Sequence, residues 1–168
     1  PPGDGSGTAY NEAGFTFDQL GGSIRWIEQL DGRIYLAVAY DSFGEAPPPG
    51  EIWVSDNGLD FRPIMQNGFG DPNNRGVQAL IAYQGWIYAG TKNDIDGFDI
   101  WKLRPVAPGS DEYEYVRVVS GGGPSAHNEN AGMPIIFQDK LYFGTQLYIA
   151  GFNPSSGNAF EGCDIIRI

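Results

Sequence analysis

The chain has 168 residues and 18.3 kDa, with 10 Lys plus Arg against 21 Asp plus Glu, so its formal charge of −11 opposes any nonspecific grip on nucleic acid or an anionic lipid surface. The lone Cys163 has no partner for an intrachain disulfide, and no Cys/His spacing points to zinc. Hydrophobic residues at 41% and aromatics at 14% exclude a disordered chain, while 25 Gly and 12 Pro leave little room for long helices and predict a turn-rich, all-β protein.

No stretch approaches the roughly 18 consecutive apolar residues that a spanning helix needs, so a soluble chain without membrane insertion is expected. Residues 1–14 are polar and glycine-rich and read as a flexible N-terminal arm. A start at Pro1, without Met and without a basic-then-apolar leader, is what a processed protein or a fragment of a longer one would show. Phe15 to Leu20 then alternates apolar and polar as a half-buried strand should, and ends at Gly21-Gly22.

Ile24 to Leu30 and Arg33 to Tyr40 follow as two strands joined at Asp31-Gly32, a strong hairpin signal. Glu51 to Val54 and Phe61 to Met65, separated by Ser55-Asp56-Asn57-Gly58, complete a four-stranded antiparallel meander. Val77–Tyr83, Trp86–Thr91, Phe98–Arg104 and Tyr113–Val119 predict a second one. Met133–Phe137, Lys140–Leu147 and Cys163–Ile168 predict three strands of a third.

These meanders are copies. Gly85-Trp86-Ile87-Tyr88-Ala89-Gly90-Thr91 recurs upstream as Gly32-Arg33-Ile34-Tyr35-Leu36-Ala37-Val38 and downstream as Asp139-Lys140-Leu141-Tyr142-Phe143-Gly144-Thr145, so that Ile34, Ile87 and Leu141 stand 53 and 54 positions apart. Phe17 and Leu20 share the spacing of Phe61/Ile64 and Tyr115/Val118 in the last strands of the first two repeats. The orphan strand is thus expected to complete the third repeat, in the same chain or a neighbour. Radial repetition of four-stranded sheets with such staggered closure is the plan of a β-propeller. The expected blades are about 22–66, about 76–120, and about 131–168 together with strand 15–20.

Three motifs carry a resemblance over residues 15 to 168: the loop Gly68-Phe69-Gly70-Asp71-Pro72-Asn73-Asn74, the strand Ile87 to Thr91, and the turn Ile52-Trp53-Val54-Ser55-Asp56-Asn57-Gly58-Leu59-Asp60-Phe61. With these the chain resembles bacterial extracellular β-propellers with degenerate Asp-box (sialidase-type) repeats. Val54 and Phe61 depart from the usual box, and only the first repeat keeps one. In such a turn Asp56 is expected to accept amides of its own turn while Gly58 supplies positive φ. Asn74 and Asn128, 54 positions apart, are expected to tie loops between blades to neighbouring backbone.

Candidate ligand chemistry lies in three places. Asp94, Asp96 and Asp99 crowd one loop as a calcium site would require, but Lys92 stands where the EF-hand pattern wants its first acid, and a solvated hairpin loop competes with the cation. No other cofactor is indicated. His127, the only histidine, sits beside Asn128 in a polar loop, without a nucleophile motif to make it a catalytic base. Tyr40, Phe43, Phe69, Tyr148, Phe152 and Phe160 could present flat faces to sugars or to a protein. His127, Asn128, Asn74, Tyr40 and Phe69 are therefore the candidate ligand-binding residues.

A sialidase-like enzyme needs an arginine cluster around a closed pocket, which three blades are too few to place. Propellers have 4–8 blades, so three leave apolar faces to be covered. The expectation is a non-enzymatic, extracellular or cell-surface structural or adhesive protein forming a homo-oligomer or polymer, with Phe15, Phe17 and Leu20 as its assembly strand. The alternatives are a glycan-binding or glycan-hydrolysing propeller, or a fragment of a larger one.

Overall fold

The computed structural model describes residues 22–40, 47–146 and 163–168. The expected arm, the strand with Phe15, Phe17 and Leu20, and the loop aromatics Phe43, Tyr148, Phe152 and Phe160 lie outside the described residues. Within them the chain is all-β, with eleven antiparallel strands and no α-helix.

The strands are β1 (Ser23–Leu30), β2 (Arg33–Ala39), β3 (Glu51–Ser55), β4 (Arg62–Met65), β5 (Gly76–Tyr83), β6 (Trp86–Lys92), β7 (Ile100–Pro105), β8 (Tyr113–Val119), β9 (Asn130–Phe137), β10 (Lys140–Gln146) and β11 (Ile165–Arg167). Pairing is sequential within β1 to β4, β5 to β8 and β9 to β11, giving three meanders. Single pairs, Ala39 with Gly76 and Lys92 with Asn130, link them into one open sheet.

The first hairpin of every meander turns through two residues that both have positive φ: Asp31 and Gly32, Gln84 and Gly85, Gln138 and Asp139. That backbone matches the right-handed twist of the strands it joins, which is why two residues suffice. Three strand starts differ from expectation by two residues or more. Phe98 precedes β7 as a fully buried loop residue, β9 begins at Asn130 rather than Met133, and β11 begins at Ile165 rather than Cys163.

Strand alternation divides the middle meander between two cores. Leu80, Ile87, Ala89 and Leu103 pack with Tyr35, Ala37, Ile52 and Val54 of the first meander. Ala79, Tyr88 and Ile100, with Phe98, pack with Ala131, Leu141 and Phe143 of the third. Each meander therefore buries a face against its neighbour in sequence. The approach is close: a Cβ on Gly90 would stand 2.3 Å from the Ala131 carbonyl oxygen, so β6 and β9 tolerate only glycine there.

Candidate functional site

The best-organised polar constellation sits where one meander hands over to the next. Asn74, fully buried in the loop before β5, donates from Nδ2 to the Gly68 carbonyl (2.9 Å) and reaches Asp99 Oδ2 (3.5 Å), and its Oδ1 accepts from Thr91 Oγ1 (3.1 Å). The Asp99 amide donates in turn to Thr91 Oγ1 (2.8 Å). The Asn74 backbone carbonyl accepts from Gly50 N of the preceding meander (2.7 Å).

The same latch recurs one repeat later. Asn128 donates to Gly122 O (3.0 Å) and Asp164 Oδ2 (2.8 Å), accepts from Thr145 Oγ1 (3.1 Å), and its backbone carbonyl accepts from Phe98 (3.0 Å). In the first meander Val38, paired with Glu51, occupies the threonine position, so the acid is kept and the hydroxyl lost. There Glu51 accepts from Trp53 Nε1 (2.7 Å) as Asp99 does from Trp101 Nε1 (3.3 Å).

A second cluster clamps the first meander to the second. Arg33, on β2 and only 7% exposed, donates from Nη1 to Ser110 O (2.7 Å) and Tyr113 Oη (3.0 Å), and pairs through Nε with Asp56 (2.7 Å). Arg62 Nη2 bridges Asp56 (2.7 Å) and Asp111. Burial pulls the Arg33 guanidinium down, but Tyr113 and Asp56 outweigh it and hold it above its usual range. The hydrogen bond from Arg62 keeps the Asp111 carboxyl below the usual carboxylate range. Burial and then the contact with Tyr113 push the Tyr35 hydroxyl well above that of a free tyrosine.

This cluster corrects the role expected of Asp56. The turn amides are accepted by its neighbours: Gly58 N donates to Ser55 Oγ (2.9 Å), and Leu59 N and Asp60 N donate to Asn57 Oδ1 (2.9 Å each). Asp56 is thereby released to face Arg33 and Arg62. Gly58 does supply the positive φ, at 76°.

The three acids of the expected cation loop part company. Asp94 pairs with Arg75 (3.2 Å), Asp96 accepts from Asn73 Nδ2 (3.2 Å), and Asp99 belongs to the latch, with Arg117 3.6 Å away. Asn93, 1% exposed, shapes the loop by accepting the amides of Ile95 and Asp96 (3.0 and 2.9 Å). Among the described residues no group of three His, Cys, Asp or Glu side chains is placed to hold a metal.

The other candidate ligand residues are scattered. His127 is exposed, its amide donating to Ser125 Oγ (3.3 Å), while the neighbouring Asn128 turns inward. Phe69, at φ 61°, stacks on Trp101 with centroids 4.9 Å apart and planes 5° from parallel, edge-on to Tyr115. Tyr40 is half-buried; burial, then the charge and hydrogen bond of Glu51, push its hydroxyl up to about 12.

One exposed apolar surface among the described residues was not marked by any motif. The outer side of β9 to β11 exposes Met133 (58%), Ile135 (60%), Phe137 (59%) and Ile165 (76%). Cross-strand pairing puts Ile135 beside Tyr142, Phe137 beside Lys140, and Tyr142 beside Arg167, so this apolar face is edged by two cations. The one available signal was positional: Ile135 and Phe137 stand 54 positions after Ile81 and Tyr83, which pack against the second core.

No family model, no curated protein and no solved structure matches this chain.

Proposed function

We propose that this chain is a non-enzymatic structural or adhesive module of the extracellular or cell-surface kind, built as β-propeller blades that associate through their open faces into a homo-oligomer or polymer. The observation that carries the reading is the apolar outer face of the third meander, where Met133, Ile135, Phe137 and Ile165 are more than half exposed. Contiguous exposed apolar surface of that kind marks an interaction site. The propeller reading rests on three meanders in a 53- to 54-residue repeat, with β1 packed beside β5 and β5 beside β9, and a core between each successive pair. The non-enzymatic reading rests on how the candidate groups are engaged: Asn74, Asn128 and Asp99 in latches, Arg33, Arg62 and Asp56 in a clamp.

Light scattering on the purified chain across a concentration series tests association. A mass that rises to multiples of 18.3 kDa is expected. An 18.3 kDa particle at every concentration contradicts it.

A further inference from the structure

Strand register makes positions in different meanders directly comparable. Ile81 pairs with Tyr88 as Ile135 pairs with Tyr142, and Tyr83 pairs with Trp86 as Phe137 pairs with Lys140. In the same way Leu80 pairs with Ala89 as Ile27 pairs with Leu36, and Ala82 with Ile87 as Gln29 with Ile34. Each meander thus has a leading face toward its predecessor and a trailing face toward its successor. In the middle meander the leading positions Leu80 and Ile87 are fully buried against the first meander, and the trailing positions Ile81, Tyr83 and Tyr88 pack against the third.

At the two ends the same positions are open in part, Leu36, equivalent to Ala89, being buried. Ile27, equivalent to Leu80, is 62% exposed, and Ile34, equivalent to Ile87, is half-buried. Both line a shallow hollow with Glu28, Gln29, Gly32, Asp56, Asn57 and Gly58. On the third meander Ile135 and Phe137, equivalent to Ile81 and Tyr83, are exposed. The two open faces therefore have the chemistry of the two sides of an interface that the chain already makes internally. Glu28 at the rim of the hollow is opposite in charge to Lys140 and Arg167 on the opposing face, while Asp56 beside it is already paired with Arg33 and Arg62.

We infer that the trailing face of the third meander receives the leading face of the first meander of a second copy of this chain, Ile135 and Phe137 packing around Ile27 and Ile34 in the register of the internal junctions. The contact is heterologous, joining different patches on the two copies, and each copy keeps one face free for the next. The inference rests on the self-association proposed above and names the surfaces that perform it.

The test uses two charged variants of the 168-residue chain, Ile27→Glu and Phe137→Glu, both at exposed positions and both checked for an unchanged β circular-dichroism spectrum. Each carries one spoiled and one intact face. By sedimentation velocity each alone should lose association, its apparent dissociation constant rising at least about tenfold because a charge is forced into an apolar contact. Mixed in equal amounts they should form a capped 1:1 dimer, the intact third meander of one holding the intact first meander of the other. Ile135→Glu and Gln29→Trp serve as the second pair should either first variant fold poorly. If the unsubstituted chain associates but Ile27→Glu associates equally well, or if the mixture stays monomeric, the inference is overturned while self-association stands. A monomeric unsubstituted chain overturns both.

Discussion

Arg33 Nε and Asp56 Oδ1 lie 2.7 Å apart, joining the second strand to the turn before the fourth, and the same guanidinium reaches across to Ser110 and Tyr113 of the next meander. A buried cation with three kinds of acceptor on two meanders is costly to remove, because each acceptor loses a charge-assisted partner. Arg33→Met is expected to lower stability by about 2 kcal/mol or more, measured by urea unfolding. In a double-mutant cycle Arg33 and Asp56 should couple by about 1 kcal/mol, whereas the solvent-facing pair Arg104 and Glu114 should couple by less than about 0.5.

The latches predict a contrast between adjacent asparagines. Asn74→Ala removes buried hydrogen bonds to the Thr91 hydroxyl, the Gly68 carbonyl and the Asn93 side-chain amide and should cost about 2–3 kcal/mol. Asn73→Ala removes an exposed contact to Asp96 and should change stability by less than about 0.5 kcal/mol. Asn128→Ala should behave like Asn74→Ala, since it holds the same bonds in the next repeat.

Alkaline pH should find the half-buried tyrosines. The hydroxyls of Tyr40 and Tyr115 are pushed up to about 12, by burial first and then by the charge of Glu51 and of Tyr113 respectively. A group whose folded pKa is raised contributes stability that is complete below its unfolded value, near 10 for tyrosine, and is lost as pH rises through the folded one. Stability should thus decline between about pH 10 and 12. Ultraviolet titration should show a late-ionising tyrosine class that Tyr115→Phe diminishes. Ionisation of every tyrosine near pH 10 in the folded protein would refute this.

Asp139 takes φ 53° at the second turn position, where the equivalent turns have Gly32 and Gly85. Left-handed backbone is less favourable for a residue with a Cβ than for glycine. Asp139→Gly should therefore stabilise the protein by about 0.5–1 kcal/mol in thermal unfolding.

What could be read in advance followed the range of the interactions involved. The hairpins were legible because Asp31-Gly32 and Gln84-Gly85 encode their own turns, and the repeat because Tyr35, Tyr88 and Tyr142 recur in register. Asp56 was misread because its local turn chemistry was taken over by Ser55 and Asn57, and its true partners, Arg33 and Arg62, come from other strands. Asp99 looked like a member of an acidic loop because its neighbours in sequence are acids. Its partner Asn74 is 25 positions away, and no spacing rule links the two. Exposure of Ile135 and Phe137 was hidden for a related reason: Met133 to Phe137 is apolar on both parities except at Pro134, so alternation does not say which face is covered.

The central claim is that the outer face of the third meander becomes covered when copies meet. Hydroxyl-radical footprinting read by mass spectrometry measures this directly, because Met133 and Phe137 are exposed while Met65, at 6% exposure, provides a buried reference of the same chemistry. Oxidation of Met133 and Phe137 should fall as protein concentration rises, with Met65 slow throughout. Equal oxidation of Met133 and Phe137 at every concentration would contradict the account.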